Sequence, residues 1–185
     1  MPRQERHLRY QLSFETERER IRQEEAALYR KAALELTAPT ADTNRFVRKV
    51  KEEVFVRCPS DVATYLANQV YTPFEHFEQE EFWVLLLNTR NRITHDVMVY
   101  RGTINTIYVR VAEIFKEAIR YNSNSIILSH CHPSGDPTPS PQDVRLTESA
   151  CEAGRLLDIQ LADHVIMGDN CWVSLKERGL GFGPP

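Results

Sequence analysis

The chain has 185 residues, with 23 basic and 26 acidic side chains and a formal net charge of -3, a balance that sets up no general attraction to nucleic acid. That length suits one well-buried domain plus an appendage. No apolar run reaches membrane-spanning length, the N-terminus MPRQERHLRYQ lacks a signal-peptide core, and Cys58, Cys131, Cys151 and Cys171 form no CxxC pair, so a cytoplasmic protein with free thiols is expected.

Taken in chain order, residues 15–36 are mixed in charge and helix-forming, with Ile21, Leu28, Ala32 and Leu36 on a narrow stripe and Thr16 and Glu19 placed to box the start. Such a stripe suits a dimer arm or a flap docking on its own domain, and a solvated charged helix explains it equally. Residues 38–43 read as a linker. A second helix is expected over 44–53, burying Phe46, Val47 and Val50, so that residues 1–54 form a helical extension and the main domain spans 55–185.

Within that domain, Ser60 is expected to cap a helix with Val62, Leu66 and Val70 on its apolar face. The apolar run 82–87 reads as a central strand, 88–91 as a turn, and 93–100 as a returning strand. Residues 110–121 form a helix burying Val111, Ile114, Phe115 and Ala118. The run Ser125-Ile126-Ile127-Leu128 starts a buried strand, a helix runs from Ser140 through Leu157, and 159–167 with 171–175 make a hairpin about Gly168-Asp169-Asn170. Strands alternating with helices give an α/β sandwich.

The stretch SHCHPSGDPTPSPQD, residues 129–143, carries the chemistry. Side chains alternate along an extended segment, so His130 and His132 share a face and Cys131 points away, reading as packing. Ser140 with Pro141 and Asp143 has the pattern of a helix cap, proline at the first helical position and an acid in the first turn. Two imidazoles and a nearby carboxylate are the ligand types of a three-residue zinc site, His130, His132 and Asp143. A proline-rich surface turn with two solvent-facing histidines is the bland alternative. Asp136 is read as a loop residue, and His7, His76 and His95 as surface or turn residues.

His-x-His, seven residues, then Ser-x-x-Asp resembles the JAMM (MPN+/JAB) metallopeptidase signature, and the wording HCHPSGDPTPSPQD is similar to its RadC branch. EEFWVLLLNTRNRI from Glu80, YRGTIN from Tyr100, EIFKEAIRYN from Glu113, AGRLLDIQLADHVIMGD from Ala153 and VSLKERGL from Val173 extend the resemblance over about residues 55 to 182. It implies a cytidine-deaminase-like JAB fold, a curved mixed sheet with helices on both sides. It also implies a bound Zn²⁺ and a glutamate general base at the strand start, where the pattern E-x-F selects Glu80 over Glu81. Ser140 would support the oxyanion besides capping its helix, and His164 reads as a structural or supporting histidine rather than a fourth ligand. Arg101-Gly102-Thr103 line the cleft, or are simply a strand-end arginine and a turn glycine. Two departures stand out: Val111-Ala112-Glu113 replaces the family's Pro-Arg-Glu, and no glycine-rich hairpin of the family's helix-hairpin-helix DNA-binding module precedes Gly102.

The expectation is a zinc-dependent hydrolase of amide bonds acting on a peptide or a protein conjugate. The alternatives are a DNA-repair-associated RadC-type accessory protein, which nothing basic in the core supports, and a non-catalytic MPN binding module. Homodimerisation through the first helix stays open, and no membrane partner is expected.

Overall fold

The structure is a computed structural model that describes residues 46–72, 74, 78–102 and 109–183. The helix expected over 15–36, the linker over 38–43, His7, His76 and Thr103 lie outside these residues. In chain order the elements are β1 (Phe46–Lys49), α1 (Pro59–Tyr65) continued by a π-helical turn (Leu66–Val70), β2 (Glu80–Leu87), β3 (Ile93–Gly102), α2 (Val111–Arg120), β4 (Ser125–Cys131), α3 (Pro141–Leu157), β5 (Gln160–Met167) and β6 (Trp172–Ser174). The strands form one open sheet in the order β1-β3-β2-β4-β5-β6. Only the β4–β5 pair is parallel. A parallel pair needs a crossover, and α3 supplies it.

Both faces of the sheet are covered. On β2, every residue after Glu80 is buried, as a central strand between two helical layers requires. Trp83, Leu85 and Leu87 pack with Val62, Tyr65 and Leu66 of the α1 layer. Phe82, Val84 and Leu86 turn the other way, onto Ile114, Phe115 and Ala118 of α2 and Ala150 of α3. The β2–β3 turn is closed by the Asn88 side chain, whose Oδ1 accepts from the backbone N–H of Arg90 (2.9 Å) and Arg92 (3.1 Å), while Asn91 takes a left-handed φ of 54°.

Two local expectations are corrected. In place of the helix over 44–53, β1 pairs antiparallel with β3, Arg48 opposite Asp96. Extended geometry sends Val47 to the α2–α3 face and Val50 to the α1 face, and it carries the Arg48 guanidinium onto the fully buried Asp96 carboxylate, Nε lying 3.1 Å from each oxygen. Tyr65 of α1 donates to the same carboxylate at 2.6 Å. Buried charge needs partners, and a strand supplies one where a helix would not reach. At α1 the N-cap is Cys58, not Ser60. Pro59 takes the first helical position, as its fixed φ and missing N–H favour, and the Asp61 carboxylate accepts from the N–H of Arg57 (2.8 Å) and Cys58 (3.3 Å). Val62, Leu66 and Val70 are buried as expected. Among the described residues, no helix is long and apolar enough to cross a membrane.

Candidate metal centre

The central strands deliver the histidines. β4 pairs antiparallel with β2, setting His130 opposite Phe82, whose ring stacks on the imidazole at 6.0 Å and 10°. Ile126, Leu128 and His130 face the α2–α3 layer, while Ile127 and Cys131 face α1. Cys131 is buried in that apolar cluster, and burial pushes its thiol up to about 12. One further backbone bond, His132 N–H to Met167 O at 2.9 Å, prolongs the β4–β5 pairing and keeps His132 on the side of His130.

The loop that follows is braced at two glycines. Gly135 has φ +82°, a conformation that residues with a Cβ rarely adopt. Its carbonyl accepts from Asp169 N–H at 3.0 Å and from the Cys171 thiol at 3.3 Å. The β5–β6 turn comes this close because Gly168 has no side chain: a Cβ there would lie 2.2 Å from Gly135 O. α3 then begins on a complete capping box. Ser140 Oγ accepts from Asp143 N–H at 3.2 Å, and the Asp143 Oδ2 atom accepts from Ser140 N–H and Ser140 Oγ–H, both at 2.7 Å. The box holds one carboxylate oxygen of Asp143 and leaves Oδ1 facing the histidines.

Three donor atoms converge there. His130 Nε2 lies 3.0 Å from His132 Nε2 and 3.3 Å from Asp143 Oδ1, and one ligand atom from each residue falls within a 4.8 Å cluster. Among the described residues no fourth His, Cys, Asp or Glu joins this group. A cavity of about 790 Å³ opens on it, lined among others by Glu80, Phe82, His130, His132, Ser140 and Asp143. Glu81 lies outside that cavity. It is buried and bound by Trp83 Nε1 (2.8 Å) and Arg101 Nε (2.6 Å). Arg101 is thereby tied to Glu81 rather than free to line the cleft.

Burial sets the electrostatics. It pushes the Glu80 carboxyl above the usual carboxylate range; His132 opposes the rise and Asp143 adds to it. His130 is held down at about 4, first by burial, with His132 adding and Asp143 opposing. His164 is fully buried and held well below the usual imidazole range by burial, His130 and His132. Neutral imidazole nitrogens and a carboxylate oxygen are the donor types that a divalent metal of zinc's character takes.

Both imidazoles are oriented from behind, as metal-ligating histidines are. His132 Nδ1 sits 2.8 Å from Asp136 O, a carbonyl that can only accept. His130 Nδ1 sits 3.0 Å from His164 Nε2, and His164 Nδ1 is 2.7 Å from Thr147 Oγ1. Reading the sequence alone missed two of these contributors. Asp136 acts through its backbone, which no side-chain pattern reveals. Thr147 falls one helical turn after Asp143, a spacing that could have pointed to it. His95 is not in a turn but in β3, stacked on Tyr121 at 4.1 Å.

Comparison with known proteins identifies the family. Residues 56–180 match the RadC-like JAB domain. A UPF0758 protein of Chloroflexus aurantiacus is 48% identical over 153 residues, covering 82% of this chain and 62% of that protein. One from a Roseiflexus species is 48% identical over 134 residues (72% and 56%), and one from Clostridium beijerinckii 43% over 136 residues (74% and 58%). The chain thus spans less than two thirds of the length of these relatives. The matched segment holds β2 through β6, with the His-x-His loop and its capping box. The chain belongs to the RadC-like JAB domain family.

Proposed function

We propose that the chain is a zinc-dependent hydrolase of amide bonds, a metallopeptidase or isopeptidase acting on a peptide or protein conjugate. The observation that carries this reading is that Glu80 lines the same cavity as the converging His130, His132 and Asp143. Three protein ligands with one side open to a cavity characterise catalytic rather than structural zinc. His130 Nε2, His132 Nε2 and Asp143 Oδ1 would hold the ion. When bound, zinc supplies Lewis acidity and lowers the pKa of water.

Glu80 accepts a proton at its carboxylate as water adds to the amide carbonyl, and delivers it to the nitrogen as the C–N bond breaks. A carboxyl raised above its ordinary range suits both halves of that task, because a proton acceptor works best with a pKa near the operating pH. Ser140 holds Asp143 through its N–H and hydroxyl. Its hydroxyl hydrogen rests on Asp143 Oδ2, so supporting the oxyanion requires the hydroxyl to rotate toward the cavity. Removing an oxyanion donor typically costs roughly 2.7–4 kcal/mol of barrier.

The test is zinc content together with hydrolysis of a peptide library and of isopeptide-linked conjugates by wild type and Glu80→Gln. The expected result is one zinc per chain in both proteins, with turnover lost by orders of magnitude in the variant. Full activity in a zinc-loaded Glu80→Gln would remove Glu80 as the base. Salt-dependent DNA binding by a wild type that hydrolyses nothing would support the accessory role instead.

A further inference from the structure

We propose that Thr147 and His164 are positioning residues that fix the buried His130 ring with its proton on Nδ1, leaving Nε2 as the ligand atom. This rests on His130 being a metal ligand, and it assigns the residues that make it one. One atom in this cluster has no choice of role. The Asp143 backbone carbonyl can only accept, and Thr147 Oγ1 donates to it at 2.6 Å. A hydroxyl has one hydrogen. The 2.7 Å contact between Thr147 Oγ1 and His164 Nδ1 is then satisfied only if Nδ1–H of His164 donates to the hydroxyl oxygen.

Both imidazoles are buried, at 0% and 2% relative exposure for His164 and His130, where a second proton on either ring is disfavoured. A neutral His164 protonated on Nδ1 carries its lone pair on Nε2. That atom lies 3.0 Å from His130 Nδ1, so Nδ1 of His130 must be the donor. The lone pair of His130 is thereby placed on Nε2, the atom 3.0 Å from His132 Nε2 and 3.3 Å from Asp143 Oδ1. The opposite polarity would leave Thr147 Oγ1 and Asp143 O, 2.6 Å apart, both accepting in a dry interior, whereas the lone pairs brought together at His130 Nε2, His132 Nε2 and Asp143 Oδ1 open on the cavity, where solvent or a cation can meet them. His132 needs no such chain, because Asp136 O accepts its Nδ1–H directly.

One consequence is particular to this arrangement. Asp143 enters twice, offering its side chain as ligand and its backbone carbonyl as the anchor of the relay, with Thr147 one turn along α3. Helix register therefore couples the carboxylate ligand to the tautomer of a histidine on β4.

The experiment uses the full chain, metal-free and ¹⁵N-labelled at histidine, with long-range ¹H–¹⁵N correlation to read which ring nitrogen of His130 carries the proton. Zn²⁺ affinity is measured in parallel by competition with a chromophoric chelator. Wild type is expected to show His130 protonated on Nδ1. Thr147→Val keeps the side-chain shape and removes the hydroxyl, and is expected to move the His130 proton toward Nε2. It should also weaken Zn²⁺ binding about 10- to 100-fold, the range for losing an outer partner of a metal ligand. Thr147→Ser should restore both readouts. Wild-type His130 protonated on Nε2 overturns the proposal, whether or not any variant folds. It is also overturned by a folded Thr147→Val with unchanged tautomer and affinity, or by a Thr147→Ser as impaired as Thr147→Val. Failure of wild type to bind Zn²⁺ would sink the metal reading instead, while the tautomer in metal-free protein still decides the relay.

Discussion

At the scale of single residues, the centre consists of atoms whose second hydrogen-bond partner dictates what the first can do. Ser140 is the clearest case. As a cap its hydroxyl is worth about 1 kcal/mol of stability, whereas as an oxyanion donor it would be worth roughly 10²–10³ in turnover. Ser140→Ala is expected to lose far more activity than stability, measured by turnover beside chemical denaturation. Equal, modest losses would leave only the cap, which the hydrogen bonds to Asp143 already explain. Acid stability follows from the depressed histidines. His130 has a folded value of about 4 against an ordinary 6.5, and His164 is shifted in the same direction. A depressed pKa contributes stability that is present above the unfolded value and lost as pH falls through the folded one. Metal-free protein should therefore lose stability as pH drops from about 6.5 toward 4, and replacing His164 with a neutral side chain should flatten that dependence.

At the scale of elements, β1 and the β5–β6 turn are held by contacts made far along the chain. Asp96 collects Arg48 from β1 and Tyr65 from α1, so one fully buried carboxylate ties the edge strand and the α1 layer to β3. Tyr65→Phe removes a hydrogen bond to a charged group and should cost roughly 1.5–3 kcal/mol in urea denaturation, with little effect on Zn²⁺ binding. Gly168→Ala should behave differently. The added methyl meets Gly135 O, so it should destabilise by about 1–3 kcal/mol, as overpacking does, and weaken Zn²⁺ binding by displacing the loop that carries His132. A variant with normal metal affinity would show the brace to be irrelevant to the site. β1 is hidden from local pattern because Phe46, Val47 and Val50 satisfy a helical spacing as readily as a strand. The feature that decides, Asp96, lies 48 residues away and leaves no local trace. β2, β4 and α3 were legible because each carries its own signal: a continuous apolar run in the strands, and Ser140-Pro141 at the helix start.

At the scale of the molecule, the sheet brings together residues that no local pattern connects. The β2–β4 register sets the start of β2, and so Glu80, beside the end of β4 that carries His130. The grouping of His130 and His132 with Asp143 could be read from spacing, while only the resemblance's E-x-F pattern singled out Glu80, which lines the cavity, over Glu81, which does not. The supports behind these side chains were less visible, because a backbone carbonyl at Asp136 and a hydroxyl at Thr147 acquire meaning only when strands and helix are assembled. Metal should also report on the whole fold: at zinc 100-fold above its dissociation constant, binding only the native state adds about 2.7 kcal/mol of stability, which chelation should reverse.

Whether His130, His132 and Asp143 hold zinc is decided by an equilibrium titration of the metal-free full chain with Zn²⁺, run beside His130→Ala, His132→Ala, Asp143→Ala and Glu80→Gln. One zinc per chain is expected in wild type, with binding lost or weakened by orders of magnitude in the His130, His132 and Asp143 variants and retained in Glu80→Gln. A wild type that takes up no zinc, or zinc binding indifferent to His130, His132 and Asp143, would contradict the zinc assignment.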